Sequence, residues 1–267
     1  MVSLIRRLHG IGRLLPPFVG RELREQYAGS LLGLLWSVLQ PALYVLLYWW
    51  VFAGVLRTRI PPGTALPDTP FIAFLLSALL PWFAFQEGMS RAAGAVVAHR
   101  DVVRKVHFPV RVFPLVAAAA AFLVHAGSYL VFLVVFALWR GGLSPSALGA
   151  VVVLLGLQFA VTAGLGLLLA SVTVYLRDTT QVLGLLLAAV FYTAPILYPL
   201  SLVPAELRSL MWLNPFTAFA EAYQSAVLLG AWPTLATLAG LGLFATGAMV
   251  AGFYVFQRLE PGFADVL

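Results

Sequence analysis

The sequence contains six apolar runs that are long enough to cross a lipid bilayer. A hydrocarbon core about 30 Å thick requires ~20 helical residues, and the runs cover residues 31–56, 71–98, 111–139, 147–175, 181–200 and 233–256. Isolated strands cannot cross lipid because their backbone groups would stay unpaired, so each run is predicted to be a helix. Only 10% of the residues are charged, and mean hydropathy is +0.97, so a water-soluble surface could not be covered. We therefore predict an all-α integral membrane protein with six transmembrane helices.

The distribution of basic residues predicts the orientation of these helices. Twelve of the sixteen lysine and arginine residues lie before the first run, in or next to the connection between the second and third runs (counting Arg91 and Arg111 at the adjoining ends of these runs), after the fourth, or after the sixth. Cytoplasmic segments of membrane proteins carry such an excess. We therefore expect both termini to lie in the cytoplasm. The net charge of +6 does not form a basic face on a soluble body, so no nucleic-acid partner is expected.

Two segments outside the runs have their own patterns. Before residue 16, leucine and isoleucine recur at helical spacing among arginines, which predicts an amphipathic helix in the headgroup plane, with a solvated tail as the alternative. Residues 201–232 mix apolar residues with prolines and polar side chains. We predict two short helices that dip into the outer leaflet there, because a seventh span would place the C-terminus and Arg258 on the wrong side.

Residues suited to catalysis are sparse. No Gly-rich loop ends in Lys-Ser or Lys-Thr, so no P-loop nucleotide site is expected on this chain. Cysteine is absent, and the four histidines lack metal-ligand spacing, so no metal site is expected and the histidines are interpreted as interfacial or packing residues. Glu87 lies within the second run. It either lines an aqueous path or pairs with Arg91 one helical turn away, and the sequence leaves both open.

The connection between the second and third runs is short, basic and partly apolar. An apolar stripe on a basic cytoplasmic helix suits docking into a partner's groove. The same composition also suits a helix that lies on anionic headgroups, and both interpretations stay open here. The residues singled out in this connection are His99, Arg100, Asp101, Val102, Val103, Arg104, Lys105, His107 and Phe108.

Aromatic residues are dense near the runs. An interfacial belt or helix packing is the ordinary explanation, but Tyr44 and Tyr48, one helical turn apart, lie deeper than a belt requires. Aromatic faces with a polar edge suit a sliding sugar chain. The residues proposed to line a channel are Tyr44, Tyr48, Trp82, Phe85 and Tyr192.

Three stretches of the chain carry a resemblance to a known family. They comprise Arg21, Arg24, Tyr27 and Ser30 with Leu32-Gly33, Trp36 and Pro41; Lys105 with Phe108-Pro109 and Pro114; and Arg177-Asp178, Pro195-Ile196-Leu197-Tyr198-Pro199, Pro204, Asn214-Pro215, Glu221 and Tyr223. In order and spacing they resemble ABC-2-type permeases of the O-antigen, capsule and teichoic-acid polysaccharide exporters. The resemblance runs from about residue 18 to 257. Gln224 departs from it, because an arginine is expected there in many relatives.

The resemblance implies a multi-pass protein of the bacterial cytoplasmic (inner) membrane that works as a homodimer with a channel at the permease interface. Two copies of a separate P-loop ATPase subunit would dock below it and bind ATP and Mg²⁺. This chain would then hold no cofactor, and it would be a transport subunit rather than an enzyme. The cargo would be a lipid-linked polysaccharide, and membrane lipids would surround the dimer.

The resemblance also implies an organisation along the chain. Residues 1–30 would form a cytoplasmic amphipathic interface segment with Arg21 and Arg24 as its interfacial basic residues, residues 31–257 the transmembrane domain, and residues 258–267 a cytoplasmic tail. Residues of about 99–108 would form the helix that couples to the ATPase, and about 196–230 the outer gate helices. The gate residues would be Tyr198, Pro199, Trp212, Asn214 and Glu221.

Two other functions are consistent with parts of the sequence. An ABC-2 permease for drugs or small lipids would have the same architecture and differ in its channel. An integral membrane glycosyltransferase acting on polyprenyl-linked sugars would need paired carboxylates near a metal or a basic residue. The aqueous-side carboxylates Asp101, Asp178 and Asp265 are instead scattered singly.

Overall fold

The computed structural model describes residues 15–26, 28–57, 70–105 and 108–267, and every regular element in these ranges is a helix. The prediction of an all-α chain is confirmed. Helix α1 covers residues 15–26. The others are α2 (Trp36–Trp49), α3 (Phe71–Ala98), α4 (Arg100–Lys105), α5 (Val112–Arg140), α6 (Pro145–Tyr175), α7 (Thr179–Thr193), α8 (Ala205–Met211), α9 (Pro215–Gln224), α10 (Leu235–Leu259) and α11 (Phe263–Val266). Short π-helical turns continue α2 through Trp50–Val55 and α9 through Ser225–Leu229.

In the described part of the chain, four helices are long and apolar enough to cross a membrane. They are Phe71–Ala98, Val112–Arg140, Pro145–Tyr175 and the continuous helical stretch Leu235–Val266. Two shorter apolar helices, Leu39–Phe52 and Thr179–Thr193, correspond to the first and fifth apolar runs. The membrane domain is therefore helical with several apolar spans, and the count of six stays a prediction.

Local sequence explains where most helices begin and end. Helix α6 begins after Ser144, whose hydroxyl accepts a hydrogen bond from the Ala147 amide, and Pro145 occupies its first turn. Helix α5 ends at Gly141, where φ is +85°. Helix α7 ends at Thr193, seven residues before the apolar run does, because Pro195 forces the preceding Ala194 into an extended conformation.

Helix α3 forms the centre of the bundle and packs against α5 and α6. Pro81 lies inside α3 and lacks the amide that would otherwise bond the carbonyl of Ser77. The hydroxyl of Tyr129 on α5 donates to that carbonyl at 3.2 Å. The amide of Gln158 on α6 donates to the Pro81 carbonyl at 2.7 Å. Neighbouring helices thus supply polar partners at a proline inside an apolar span.

Helices α6 and α10 approach each other at two glycines. A Cβ atom added to Gly252 would lie 2.0 Å from the carbonyl oxygen of Gly164, and one added to Gly164 would lie 2.4 Å from the backbone of Ala248. Only glycine allows the two backbones to come this close. Small residues at helix crossings are typical of membrane domains, where close packing replaces the hydrophobic driving force.

The last eight residues fold back onto the base of the bundle. Phe263 on α11 is fully buried, and Glu260 forms a 2.6 Å ion pair with Arg111 at the start of α5. The hydroxyl of Tyr175 donates to the carbonyl of Leu259 at 3.0 Å. The segment predicted as a tail is therefore held against α5 and α6.

Candidate functional site

A cavity of about 480 Å³ lies between helices α2, α3, α5 and α7, and seven aromatic side chains contribute to its wall. Four of the five aromatic residues proposed from the sequence line it: Tyr44, Tyr48, Trp82 and Tyr192. Tyr44 and Tyr48 share one face of α2 because they are one helical turn apart. Tyr44 is 45% exposed and Tyr192 64% exposed, so both have free surface for a ligand.

The aromatic wall is held together by ring contacts within the chain. The ring of Phe191 on α7 lies 6.4 Å from that of Tyr48 and 5.5 Å from that of Trp82. Trp82 is buried, and its indole nitrogen donates to the side-chain oxygen of Gln86 at 2.8 Å. Because the rings are fixed by packing, the cavity surface is preformed.

Phe85 does not reach this cavity. It is buried, and its ring packs 5.5 Å from that of Phe216 on α9. It lines a smaller apolar cavity of about 210 Å³ between α3, α6, α7 and α9. Phe85 therefore lies outside the lining of the aromatic cavity although its ring is 5.6 Å from that of Trp82, and its part in a channel stays a prediction.

The aromatic cavity has a polar end on the side of α1. Gln40, Gln86, Glu87, Ser90 and His125 contribute polar groups to it. Glu87 Oε2 lies 2.7 Å from His125 Nε2. Since an ionised carboxylate can only accept, Nε2 of His125 carries the hydrogen in this bond.

The other oxygen of Glu87 joins a network that reaches helix α1. Glu87 Oε1 accepts from Arg91 Nη1 at 3.2 Å and from the amide of Gln26 at 3.5 Å. Arg91 Nη2 also donates to Glu22 at 2.8 Å. The i, i+4 pair expected for Glu87 and Arg91 is present, and the same carboxylate also lines the aromatic cavity.

Sequence reasoning missed Glu22, Gln26 and His125 as members of this network. Glu22 lies 69 residues from Arg91, and His125 lies 38 residues from Glu87. One feature of the sequence could have identified His125: it is the one basic side chain among residues 112–139. Ionisable groups inside a membrane span face the bundle interior and have partners, which makes them candidates for function.

Helix α4 lies at the base of the bundle with an exposed basic end. Arg100, Asp101, Arg104 and Lys105 are exposed, while Val103 is partly buried against the neighbouring apolar cluster. The acidic residue is in the first turn and the two later basic residues are in the last, which complements the helix dipole. Val102 is 38% exposed, and His107 lies outside the described residues.

Aromatic contacts on both sides fix the position of α4. Before it, the imidazole of His99 stacks on Phe113 of α5 with ring centres 4.3 Å apart. After it, the ring of Phe108 lies 5.3 Å from Phe113 and 5.4 Å from Phe18 on α1. A displacement of α4 would therefore act on α1 and α5.

Helix α1 covers a second cavity, of about 560 Å³, beside α3 and α5. Glu22 and Arg91 line this second cavity, and Ser90 lines both cavities. The ion-pair network therefore lies where the aromatic cavity and the second cavity meet. Arg21 and Arg24, the interfacial basic residues proposed from the sequence, are exposed on α1. Arg21 pairs with Glu25 at 2.6 Å, and Arg24 donates to the Gly20 carbonyl at 3.1 Å.

The proposed outer gate residues lie on or near two short helices, α8 and α9, and their role as a gate stays a prediction. Asn214 joins α9 to α7: its oxygen accepts from the Phe216 amide at 2.9 Å, and its amide donates to the Val190 carbonyl at 2.7 Å and to the Thr193 hydroxyl at 2.9 Å. The hydroxyl of Tyr198 donates to the Tyr192 carbonyl at 2.6 Å. The remaining three, Pro199, Trp212 and Glu221, are respectively buried, 53% exposed and partly buried.

Gln224 replaces the arginine that the family resemblance led us to expect, and it has a defined role. The side chain is buried, and its amide donates to the Pro195 carbonyl at 2.9 Å. A neutral amide can satisfy this carbonyl without bringing a charge into the interior. The contact is therefore a hydrogen bond between α9 and the chain after α7.

Within the described residues, no group of three or more histidine, cysteine, aspartate or glutamate side chains is arranged so that it could bind a metal ion. The arrangement of the site is one of aromatic surfaces, amides and a few paired charges. Such groups suit binding and guiding of a ligand.

Comparison with known proteins identifies the family. Residues 18–228 match the membrane domain family described as ABC-2 type transporter. The chain is 33% identical over 273 residues to the O-antigen export system permease protein RfbA of Myxococcus xanthus, covering 99% of each chain. It is 26% identical to RfbA of Klebsiella pneumoniae, with 95% of each chain covered. It is 24% identical to the polysialic acid transport protein KpsM of Escherichia coli, with 90% of this chain and 91% of that protein covered. The chain therefore belongs to the ABC-2 type transporter membrane family, and it is a multi-pass membrane transport subunit and not an enzyme.

Proposed function

We propose that the chain is the permease of an exporter that moves a lipid-linked polysaccharide across the bacterial cytoplasmic membrane. The observation that carries this proposal is the end-to-end similarity to O-antigen export permeases, which reaches 33% identity over almost the whole of both chains. The preformed aromatic cavity supports it, because flat rings with polar edges offer sugars contact area without deep binding wells. An integral membrane glycosyltransferase is excluded by the family assignment.

In this proposal six helices cross the membrane and both termini are cytoplasmic. Helix α2 with its π-helical turn spans twenty residues, or about 30 Å. Helix α7 has fifteen residues, or about 22 Å, and the extended chain after it supplies further length. The concentration of basic residues on one side supports the orientation.

The exposed face of α2 supports a homodimer with a channel at its interface. Leu43, Leu46, Leu47 and Trp50 are all at least half exposed, and Tyr44 beside them lines the aromatic cavity. A second copy placed against this face would bury apolar surface and enclose the cavity. The remaining apolar surface would contact lipid.

A separate P-loop ATPase would supply the energy and hold ATP and Mg²⁺. Helix α4 suits the coupling role because its basic end is exposed while His99 and Phe108 at its two ends are packed against the bundle. A force on α4 would reach α5 through Phe113 and α1 through Phe18. The polar network of Glu22, Arg91 and Glu87 then links α1 to the aromatic cavity.

Charge reversal on α4 tests the coupling role. The Arg104→Glu, Lys105→Glu double variant should copurify with less ATPase and export less polymer, because the end of α4 would become acidic and would repel an acidic docking groove that the parent's basic end attracts. Arg177→Glu is the matched control, since Arg177 is exposed but lies in a different connection. If a chain lacking residues 100–107 still bound and stimulated the ATPase as the parent does, the assignment of α4 would be wrong.

Transport of drugs or small lipids is the second candidate function. The size of the aromatic cavity is the observation that supports it. A volume of about 480 Å³ lies within the range of small-molecule sites. The Tyr44→Ala, Tyr48→Ala variant separates the two functions. Surface glycan should fall if sugars slide over these rings, and surface glycan equal to that of the parent would remove the aromatic cavity as an argument for the polysaccharide function.

A further inference from the structure

We propose that the aromatic cavity accepts uncharged sugar units and that Glu87 excludes acidic ones. The inference rests on the proposed export of a polysaccharide and specifies the charge class of that cargo. The relatives leave this class open, because one of them is named for the transport of polysialic acid, an acidic polymer. The electrostatics of the cavity distinguish the two classes.

The formal charge on the described wall of the cavity is of one sign, and it is negative. Glu87 is the one formally charged side chain among the described residues that line the cavity, and no lysine or arginine accompanies it there. The remaining polar groups are the amides of Gln40 and Gln86, the indole N–H groups of Trp36 and Trp82, the hydroxyls of Ser90, Tyr44, Tyr48 and Tyr192, and the imidazole of His125. Amides and hydroxyls both donate and accept, so they match the hydroxyl groups of a neutral sugar.

The negative charge of Glu87 is only partly balanced. Arg91 is shared between two carboxylates, at 3.2 Å from Glu87 and 2.8 Å from Glu22. One guanidinium between two carboxylates leaves one net negative formal charge on Arg91, Glu87 and Glu22, and His125 Nε2 lies 2.7 Å from the other oxygen of Glu87. Arg91 lines the neighbouring cavity under α1 and not the aromatic cavity. The carboxylate of Glu87 is therefore nearer to a ligand in the aromatic cavity than the guanidinium of Arg91 is.

A sugar carboxylate in this cavity would meet a like charge in a partly desolvated space. Repulsion between unit charges at a few ångströms is far stronger there than in bulk water. A neutral pyranose has no such cost and can place its C–H face on Tyr48 or Tyr192 while its hydroxyls reach the polar end. The geometry thus favours neutral units and rejects uronic and sialic acids.

Binding measurements on the full chain in lipid nanodiscs test this selectivity. The probes are maltotetraose and a tetramer of α2,8-linked sialic acid, followed by saturation-transfer NMR at low ionic strength. The neutral probe should bind at least tenfold more tightly. Glu87→Gln should reduce this ratio at least fivefold because the carboxylate is replaced by an amide of similar shape. Glu87→Asp should keep most of it, since the charge remains.

Two controls separate an electrostatic effect from a structural one. Glu25→Gln removes a carboxylate from α1 that pairs with Arg21 on the exposed face, and it should leave the ratio unchanged. Raising the salt concentration should narrow the ratio for the parent chain, because ions screen the repulsion. A ratio that Glu87→Gln lowers and salt does not would assign the effect to shape and overturn the inference.

The remaining outcomes decide between this inference and the proposed function. If the sialic acid tetramer binds as tightly as maltotetraose, or if neither binds, the inference is wrong. Surface glycan in cells that carry the permease and its ATPase is measured in parallel. If the binding result contradicts the inference but polymer still reaches the cell surface, the proposed export function is not affected. If deletion of the permease leaves the amount of surface glycan unchanged, the proposed export function is wrong.

Discussion

At the scale of single residues, a close backbone contact between α6 and α10 is possible because two glycines stand there with no side chain. Gly252 on α10 and Gly164 on α6 face each other so closely that neither can carry a side chain. Other glycines of α10, such as Gly247, have open space where a Cβ would stand. The effect of adding a methyl group should therefore depend on position within one helix.

We predict that Gly252→Ala destabilises the protein, because its Cβ would lie 2.0 Å from the Gly164 carbonyl oxygen and α10 would have to move away from α6. Overpacking of this kind costs about 1–3 kcal/mol. The thermal midpoint of the detergent-solubilised protein, followed by size-exclusion chromatography, should fall by several degrees. Gly247→Ala is the control and should leave the midpoint unchanged or raise it, since alanine favours helix. Equal midpoints for both variants would contradict the close contact.

Glu87 and His125 show how far residue-level reasoning extends. The pair of Glu87 and Arg91 follows from helical spacing alone, because residues four apart share a face. The 2.7 Å contact with His125 required the packing of α3 against α5. Helical periodicity gives no information about which residue on a distant helix stands opposite.

At the scale of elements, Asn214 connects two helices that the sequence treats as separate. Its side chain caps the start of α9 and also bonds the last turn of α7. Thr234 caps α10 in the same way, by accepting from the Thr237 amide, and its side chain bonds within that helix. The two residues therefore form a natural pair for comparison.

We predict that Asn214→Ala loosens the junction between α7 and α9. Loss of an N-cap costs about 0.5–2 kcal/mol, and here the bonds to Val190 and Thr193 are lost as well. Amide hydrogen exchange should accelerate on both sides of the junction, at residues 190–194 and 213–218. Thr234→Ala should accelerate exchange only near the start of α10. If exchange in the Asn214→Ala variant accelerated only in α9, the hydrogen bonds from Asn214 to α7 would contribute little to the stability of the junction.

The sequence predicted the existence of the helices more reliably than their ends. The apolar run 181–200 includes Pro195 and Pro199, and α7 stops before both. The run 31–56 becomes a helix only at Trp36, after a 3-10 turn in which Gly33 has φ of +50°. Hydropathy counts side chains, whereas backbone geometry at proline and glycine sets the boundaries.

At the scale of the whole molecule, the membrane topology depends on whether the short helix α7 crosses the bilayer. The chain contains no cysteine, so a single introduced cysteine has a unique thiol. Asp178 and Ala205 are both exposed and lie on either side of α7. They are suitable positions for a test of sidedness.

We predict that a membrane-impermeant maleimide labels the Ala205→Cys variant in intact cells with a permeabilised outer envelope. The Asp178→Cys variant should react only after the cytoplasmic membrane is opened, because six spans place residue 178 inside and residue 205 outside. Fully permeabilised cells serve as the control, and both variants should react there. Labelling of both variants from the same side would mean that α7 does not cross.

The candidate site was predictable in part. Tyr44, Tyr48, Trp82 and Tyr192, which the sequence analysis grouped together, line one cavity, and their contact with a sugar chain stays a prediction. Phe85 does not share it, because it lies on the side of α3 that faces α9. Residues three apart on a helix share only part of a face, so Trp82 can line a cavity that Phe85 does not reach.

The sequence by itself determined that the chain is helical and embedded in a membrane, because long apolar runs and few charges allow no other way to satisfy the backbone. It also determined the family, through prolines, glycines and polar residues spread along the whole chain. The tertiary structure alone decided that Glu22, Arg91, Glu87 and His125 meet at one end of an aromatic cavity. These residues come from three helices, and only the packing of those helices brings Glu22 and His125 within hydrogen-bonding distance of the Arg91–Glu87 pair.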